Sequence, residues 1–270
     1  MSKVAIIYTY NRYNGNEFFV EKLKIELNKY HVQADLLLVD NAFDYKVLDS
    51  YDLVIIRSIV PIIKRYCKRK KILTINSSFI NTIGNNKWLT YKFARKYNIE
   101  TANTILVRSK CHKKINKLKE KNFIVAKSLD GHGGSEVFDL SKESAEILSQ
   151  KKHIILQEMC ENGKDLRVYV IANKIIVSML RKSTINFRSN YKLGGMVEEH
   201  NLTSEEKQLV EKILKTTFFD FAGIDLIYKN GKPILNEIED IVGSRMLYEN
   251  TRVDIIKIFA EWINKKINLL

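Results

Sequence analysis

Three acids, Asp225, Glu237 and Glu239, stand on one short apolar stretch, Phe221-Ala-Gly-Ile-Asp-Leu-Ile-Tyr-Lys-Asn-Gly-Lys-Pro-Ile-Leu-Asn-Glu-Ile-Glu-Asp240. Asn230-Gly231 divides it into two apolar runs, the pattern of a β-hairpin. Carboxylates on adjacent strands repel one another unless a cation neutralises them. Oxygen donors without His or Cys suit magnesium better than zinc, and magnesium with few protein ligands usually accompanies a nucleotide. A two-residue turn at Asn230-Gly231 would set Asp225 opposite Asn236 and send Glu237 to the other face. A shared metal therefore requires a bulge or an odd-length loop. The alternative is a surface hairpin whose acids face water.

A second group could meet phosphate. Phe123 to Phe138 reads as a strand, a glycine-rich turn and a returning strand, with Lys127 ahead of Gly131, Gly133 and Gly134. Glycines let backbone N–H groups approach an anion, and the lysine supplies a point charge. A Walker loop has its lysine after the glycines, and a protein kinase has it on the strand beyond them, so this order differs from both. A plain tight turn is the alternative. Lys87 falls in the first turn of a helix predicted over Asn85–Asn98, where it opposes the helix dipole unless an anion meets it. Ile154 to Cys160 ends an apolar strand in Glu158-Met159, where linker backbone could face a flat base, or where a core strand merely surfaces. Asp165 and Arg167 share a strand face by the period of two, and Arg181, near the end of the return strand, can project toward the same cavity.

Positioning these groups takes several α/β units. Val4 to Tyr8, Ala34 to Val39, Leu53 to Ile56 and Ile72 to Asn76 read as strands of a small front lobe, with Phe19, Leu23 and Leu27 at helical spacing between the first two. No Gly-x-Gly-x-x-Gly follows the first strand, which leaves a dinucleotide site there without support. Strands are then predicted at Thr104 to Val107, Phe123 to Ala126, Glu136 to Leu140 and Ile154 to Gln157, with helices about Ile115 and from Ser141. Leu166 to Ala172 and Ile175 to Leu180 turn at Asn173-Lys174, Thr203-Ser-Glu-Glu206 forms a capping box, and Val253 to Ile267 closes the chain as an amphipathic helix.

At 270 residues and 45% hydrophobic, the chain can bury a sizeable core. The formal charge of +14 would attract polyanions or acidic substrates. Its lysine runs, at Lys68 to Lys71 and Lys113 to Lys121, lack interleaved aromatics and read first as solvated helix faces. The apolar runs are too short for a signal peptide or a membrane span, and Cys67, Cys111 and Cys160 are not at metal spacing. A reduced, cytoplasmic setting is the expectation.

Taken in order, these pieces resemble the ATP-grasp superfamily, and within it the RimK-type glutamate ligases and bacterial glutathione synthetases. The resemblance is carried by Asn76, Asn86-Lys87, Val125-Ala-Lys127, Asp130-Gly-His-Gly-Gly134, Gln157-Glu158, Asp165-Leu-Arg167, Phe187-Arg-Ser-Asn190 with Gly194-Gly195, Gly223-Ile-Asp225 and Asn236-Glu-Ile-Glu239. It implies an α/β chain of α+β lobes in the ATP-grasp fold. Residues 1–75 would form a Rossmann-like pre-ATP-grasp domain, 76–157 the central lobe with its lid, and 158–270 the C-terminal lobe. ATP would lie between the last two, with Lys87 and Lys127 on its phosphates and Gly133, Gly134 and Ser135 in the lid. Glu158 and Met159 would hold the adenine edge, Asp165 would serve the ribose side, and Arg188 and Asn190 would approach phosphate and metal. Asp225, Glu237 and Glu239 would hold two magnesium ions, with manganese as an alternative metal and Glu237 bridging. Arg181 would stabilise charge on the reacting oxygen, and Arg167 and Arg245 would meet substrate. Glu239 stands where the family usually has Asn.

The activity implied is ATP-dependent ligation of a carboxylate to an amine through an acyl phosphate, on an amino acid, a peptide or an acidic protein tail. Neither a membrane nor a nucleic acid is an expected partner, and a homo-oligomer stays open. Two rivals stand beside it: a phosphotransferase of the same fold that does not ligate, and a basic RNA- or ribosome-binding module with a vestigial nucleotide site.

Overall fold

Alternation along the first strand decides how the N-terminal layer is built. In β1 (Ser2–Thr9), Val4, Ile6 and Tyr8 point to one face, and Ala5 and Ile7 to the other, all of them buried. The structure, a computed structural model, describes residues 1–131, 136–143, 151–161, 163–182 and 196–269. After β1 come the single-turn α1 (Tyr10–Tyr13), α2 (Glu17–Asn28), β2 (Val32–Val39), a 3-10 turn at Tyr45–Ser50, β3 (Leu53–Ile56), α3 (Pro61–Lys70) and β4 (Leu73–Ile75). The strands form a parallel sheet in the order β2-β1-β3-β4. A sheet buried on both faces needs near-continuous apolar strands, which is what β1 and β3 supply.

Two capped helices lead out of this layer. Ser77 caps α4 (Ser78–Gly84) and Asn86 caps α5 (Lys87–Lys96), each through a side-chain oxygen. The central lobe follows: β5 (Thr104–Arg108), α6 (His112–Lys119), β6 (Val125–Ser128), β7 (Val137–Asp139) and β8 (His153–Gln157), antiparallel in the order β5-β8-β6-β7. β6 begins at Val125 rather than at Phe123. Asn122 has φ of 65°, and the Phe123 N–H is donated to the Leu118 carbonyl at 3.1 Å, closing α6 instead of entering the sheet. The helix expected from Ser141 falls largely on 144–150, outside the described residues.

The last sheet, β11-β10-β9-β12-β13, is antiparallel. Its strands are β9 (Lys164–Ile171), β10 (Lys174–Lys182), β11 (Met196–Glu199), β12 (Phe221–Lys229) and β13 (Lys232–Glu239), with α7 (Ser204–Leu214) before β12 and α8 (Arg245–Asn250) and α9 (Ile255–Ile267) after β13. Thr203 and Glu206 form the expected capping box on α7. The β9–β10 turn sits at Ala172-Asn173, one step earlier than predicted. Both residues have positive φ, and the Asn173 side chain is pinned between the Leu214 carbonyl and the Phe219 N–H.

The first sheet does not complete its core alone. Val4, Ile6, Tyr8, Leu53 and Ile55 pack with α2, with Phe259 and Ile263 of α9, and with Tyr169 and Phe221 of the last sheet. The Phe221 and Phe259 rings lie 4.7 Å apart between centroids. Among the described residues no helix is long and apolar enough to cross a membrane.

Asn76, 4% exposed, joins the layers. It donates to the Phe221 carbonyl at 2.6 Å and to Asp240 Oδ1 at 2.9 Å, and accepts from the N–H groups of Asp220 and Phe221. Asn76→Ala leaves those buried groups short of partners at about 1–3 kcal/mol each. The expected result is a clear drop in melting temperature by calorimetry, larger than that of an exposed control such as Asn11→Ala.

Candidate active site

The hairpin has the two-residue turn and obtains its shared face by a bulge. Asn230 and Gly231 have φ of 52° and 75°, and Lys229 pairs with Lys232. Register then runs to Leu226 opposite Leu235, where it shifts, so that Asp225 faces Glu237 and Gly223 faces Glu239. Asn236 is the extra residue. As a result the ligand oxygens of Asp225, Glu237 and Glu239 all lie within 4.8 Å of one another.

Neighbouring strands bring the bases. β9 sets Arg167 opposite Asp225, and β10 sets Arg181 opposite Asp165. Arg167 grips Asp225 with two hydrogen bonds of 2.7 and 2.6 Å and reaches Glu239 at 2.7 Å. Arg181 holds Asp165 at 2.5 and 2.7 Å and reaches Asp225 at 2.9 Å. From the central lobe, Lys127 on β6 donates to Asn236 Oδ1 at 2.9 Å. Lys87, at the start of α5, donates to the Gly131 carbonyl and lies 3.4 Å from Glu237. The lysine that opposes its helix dipole thus has acidic company. Lysines from two separate segments meet the hairpin, Lys87 at Glu237 and Lys127 at the neighbouring Asn236.

Burial alone would push Asp225 up, but the charges and hydrogen bonds of Arg167 and Arg181 outweigh it and bring the carboxyl down to about 2. For Asp165 burial prevails over the pull of Arg181, and its pKa is raised. Burial likewise raises Glu239 against Arg167, with Asp225 and Glu237 adding to the rise. In Glu237 burial is overcome, chiefly by Lys87, and the pKa is lowered. Burial takes the Lys127 ammonium down to about 8, against the attraction of Glu237 and with repulsion from Lys87. Asp165, Asp225, Glu237 and Glu239 are therefore matched by Lys87, Lys127, Arg167 and Arg181, and the cluster is close to neutral by itself.

The remaining predicted positions are less uniform. The Glu158 carboxylate accepts from Asn103 and, at 2.6 Å, from Lys229, while the N–H groups of Glu158 and Met159 go to the Asn103 and Asn122 carbonyls. Neither the Glu158 side chain nor these N–H groups are free for an adenine edge. The Asp165 carboxylate, expected to serve a ribose, is given to Arg181. Arg167, expected to meet substrate, is committed to Asp225 and Glu239. Arg245 is exposed and donates to the Gly15 carbonyl at 3.1 Å. Gly133, Gly134, Ser135, Arg188 and Asn190 lie outside the described residues.

Sequence reasoning missed the layer behind the acids. Asp240, 2% exposed, accepts from Asn76, Asn85 at 3.0 Å and Asn81. Gly84 lets that helix approach: a Cβ there would fall 2.9 Å from the Asp240 Cβ and 3.0 Å from its nitrogen. The i, i+4 spacing of Asn81 and Asn85 was the available signal.

The acid cluster suits a hard cation, since its donors are all carboxylate oxygens and close together, with Glu237 and Glu239 partly open and Asp225 buried against Arg167 and Arg181. Residues 84–263 match the family described as the RimK-like ATP-grasp domain. A chain of Mycoplasma pneumoniae described only as an uncharacterized protein is 28% identical over 259 residues, covering 91% of this chain and 86% of that one. The "Probable alpha-L-glutamate ligase 1" of Shewanella sp. (strain MR-4) is 30% identical over 153 residues, covering 53% of this chain and 51% of its own length. The match thus spans about half the length of that ligase. Among solved structures, a D-cycloserine synthetase superposes with a TM-score of 0.76 at 12% identity, covering 98% of this chain and 100% of its own. The D-alanine–D-alanine ligase of Bacillus anthracis gives 0.74 at 12% identity, with coverages of 98% and 99%. A RiPP-associated ATP-grasp ligase of Chryseobacterium gregarium, solved with ADP and a leader and core peptide, gives 0.70 at 16% identity, with coverages of 98% and 97%.

Two substitutions within the cluster should separate architecture from ligand binding. Asp225→Asn removes the anion shared by two buried guanidinium groups and should cost about 3–5 kcal/mol in a denaturant titration. Glu237→Gln, on a partly open carboxylate, should leave stability within about 1 kcal/mol and abolish the rise in melting temperature produced by magnesium with ADP.

Proposed function

Because the chain belongs to the RimK-like ATP-grasp family and is an ATP-dependent ligase of that class, we propose that it joins the carboxylate of an amino acid or peptide to an amine through an acyl phosphate, with an acidic amino acid as one partner. The observation that carries this reading is the convergence of Lys87, 3.4 Å from Glu237, and Lys127, bonded to the adjacent Asn236, on the hairpin that carries Asp225, Glu237 and Glu239. A triphosphate is the ligand that needs both cationic side chains and metal-binding acids at one place.

In this reading Lys87 and Lys127 meet the phosphates, and Asp225, Glu237 and Glu239 hold two magnesium ions. Magnesium, when bound, screens the triphosphate's charge and braces the transferred phosphoryl group. Because the cluster is nearly neutral without ligands, metal and nucleotide enter as a pair whose charges offset each other. Glu158 and Met159 border the adenine through backbone carbonyls, and Gly133, Gly134, Ser135, Arg188 and Asn190 are proposed as further nucleotide-binding residues on the family resemblance alone.

Two substrate steps follow. A carboxylate oxygen attacks the γ-phosphorus and the bond to the bridging oxygen of ADP breaks, giving an acyl phosphate. An amine nitrogen then attacks the acyl carbon, inorganic phosphate leaves with the bonding pair, and the amine loses a proton to solvent. Arg181, whose Nη1 has no hydrogen bond among the described residues, has a donor left for the oxygen on which charge develops. Asp165 and Asp225 hold its plane in place.

The acidic partner is suggested by the glutamate ligases among the relatives and by the charge of +14. Free Cys67, Cys111 and Cys160 accord with a reducing cytoplasm, where ATP is abundant. The direct test incubates the chain with ATP, magnesium and a panel of amino acids and dipeptides, following phosphate release and product mass. Release that requires an amine, with a product heavier by one amide linkage, is expected. A stable phosphorylated product without an amine would indicate a phosphotransferase, and no turnover with any acceptor would refute the ligase.

A further inference from the structure

Two arginines outside the acid cluster have no carboxylate in direct contact among the described residues, although the charge of Asp240 acts on both. Arg57 is 3% exposed, yet its partners are neutral: Nε donates to the Tyr8 hydroxyl at 3.3 Å and Nη2 to the Val242 carbonyl at 2.8 Å, and the guanidinium lies 4.4 Å from the Phe19 ring centre. Arg12, half-buried on α1, makes no side-chain hydrogen bond or ion pair among the described residues. Burial and the charge of Arg57 lower its pKa from the ordinary arginine value, with Glu239 and Asp240 near enough to oppose the shift.

Those acids are already engaged, Glu239 by Arg167 at 2.7 Å and Asp240 by Asn76, Asn81 and Asn85. Neighbouring guanidinium groups drawn from water with no carboxylate in direct contact are costly, so such a pair is understandable where an anion joins them. The location points the same way. Arg57 follows directly on β3, and Arg12 lies in the turn of helix that follows β1. These two parallel strands are adjacent in the order β2-β1-β3-β4, and the chain leaves β1 toward β2 on one side and reaches β3 on the other. The crevice beyond the carboxyl ends of such a strand pair is where open α/β sheets take ligands.

We propose that Arg12 and Arg57 form the anchor for a substrate carboxylate that is not itself activated, holding an acidic amino acid or peptide end beside Glu239 while another group reacts. The proposal rests on the ligase reading above. A carboxylate matches the planar guanidinium fork, and the phosphates are assigned to Lys87 and Lys127. Arg57 is oriented by Tyr8 and Val242 and stacked on Phe19, so its plane is set before substrate enters. Arg12 supplies the adjustable second contact.

The test is calorimetric titration of L-glutamate, L-glutamine and L-glutamic acid 1-amide into the full chain with magnesium and ADP present. Arg12→Gln and Arg12→Lys are compared with the unsubstituted chain. Arg12 is half-exposed and its side chain has no hydrogen bond or ion pair among the described residues, so its replacement spares the fold, whereas Arg57 ties two layers together. Arg12→Gln should weaken binding of L-glutamate about tenfold or more, Arg12→Lys should recover part of the loss, and ADP affinity should stay unchanged. A loss shared with L-glutamine assigns the anchor to the α-carboxylate, and one shared with the 1-amide assigns it to the side chain. Equal binding by Arg12→Gln, a parallel loss of ADP, or no binding of any probe to the unsubstituted chain would overturn the anchor. Amine-dependent phosphate release by the unsubstituted chain reports on the ligase reading separately.

Discussion

A single buried carboxylate, Asp225, sits between two guanidinium groups, and the geometry of the site follows from satisfying it. At 1% exposure it would be intolerable alone. Arg167 takes both of its oxygens and Arg181 shares one of them. Each arginine must then be held by a second acid, Glu239 for Arg167 and Asp165 for Arg181. The result is a ladder of alternating charge across β10, β9, β12 and β13, in which each member's position depends on its neighbour's. Fixed dipoles and charges of this kind need no reorganisation when a reaction develops charge beside them.

The bulge at Asn236 connects that ladder to the rest of the chain. Without it Glu237 would face the opposite side of the hairpin and Lys87 would lose its carboxylate. With it, the displaced Asn236 side chain becomes the acceptor for Lys127 from the central sheet. One irregular residue thus builds the acid face and secures the contact between lobes. Bulges commonly occur where a side chain must be re-aimed.

A second network supports this one from behind. Asn76, Asn81, Asn85 and Asp240 form a buried polar knot in which Gly84 permits the close approach of α4, while Arg57 reaches Val242 from the first sheet. The apolar packing of α9 against α2 and β1 brings the same segments together from the outside. The parallel sheet is thereby held against the antiparallel one at the end of the acid ladder. That places Arg12 and Arg57 beside the cluster, although they are remote from it in sequence.

Much of this was legible in the residues. The apolar runs of β1, β3 and β9, the capping box on α7, the hairpin turn and the requirement for an extra residue before Glu237 all follow from local rules, because backbone sterics and alternation act over a few positions. The order of short motifs was enough to indicate the ATP-grasp resemblance. What the sequence could not contain was partnership. Whether the hairpin used a bulge or a longer loop, that Asp165 serves Arg181, that Glu158 turns to Lys229, and that Arg57 is buried against neutral partners depend on strands far apart in the chain. Burial and electrostatics belong to the space between elements, so those pairings became fixed only when tertiary packing removed water from them.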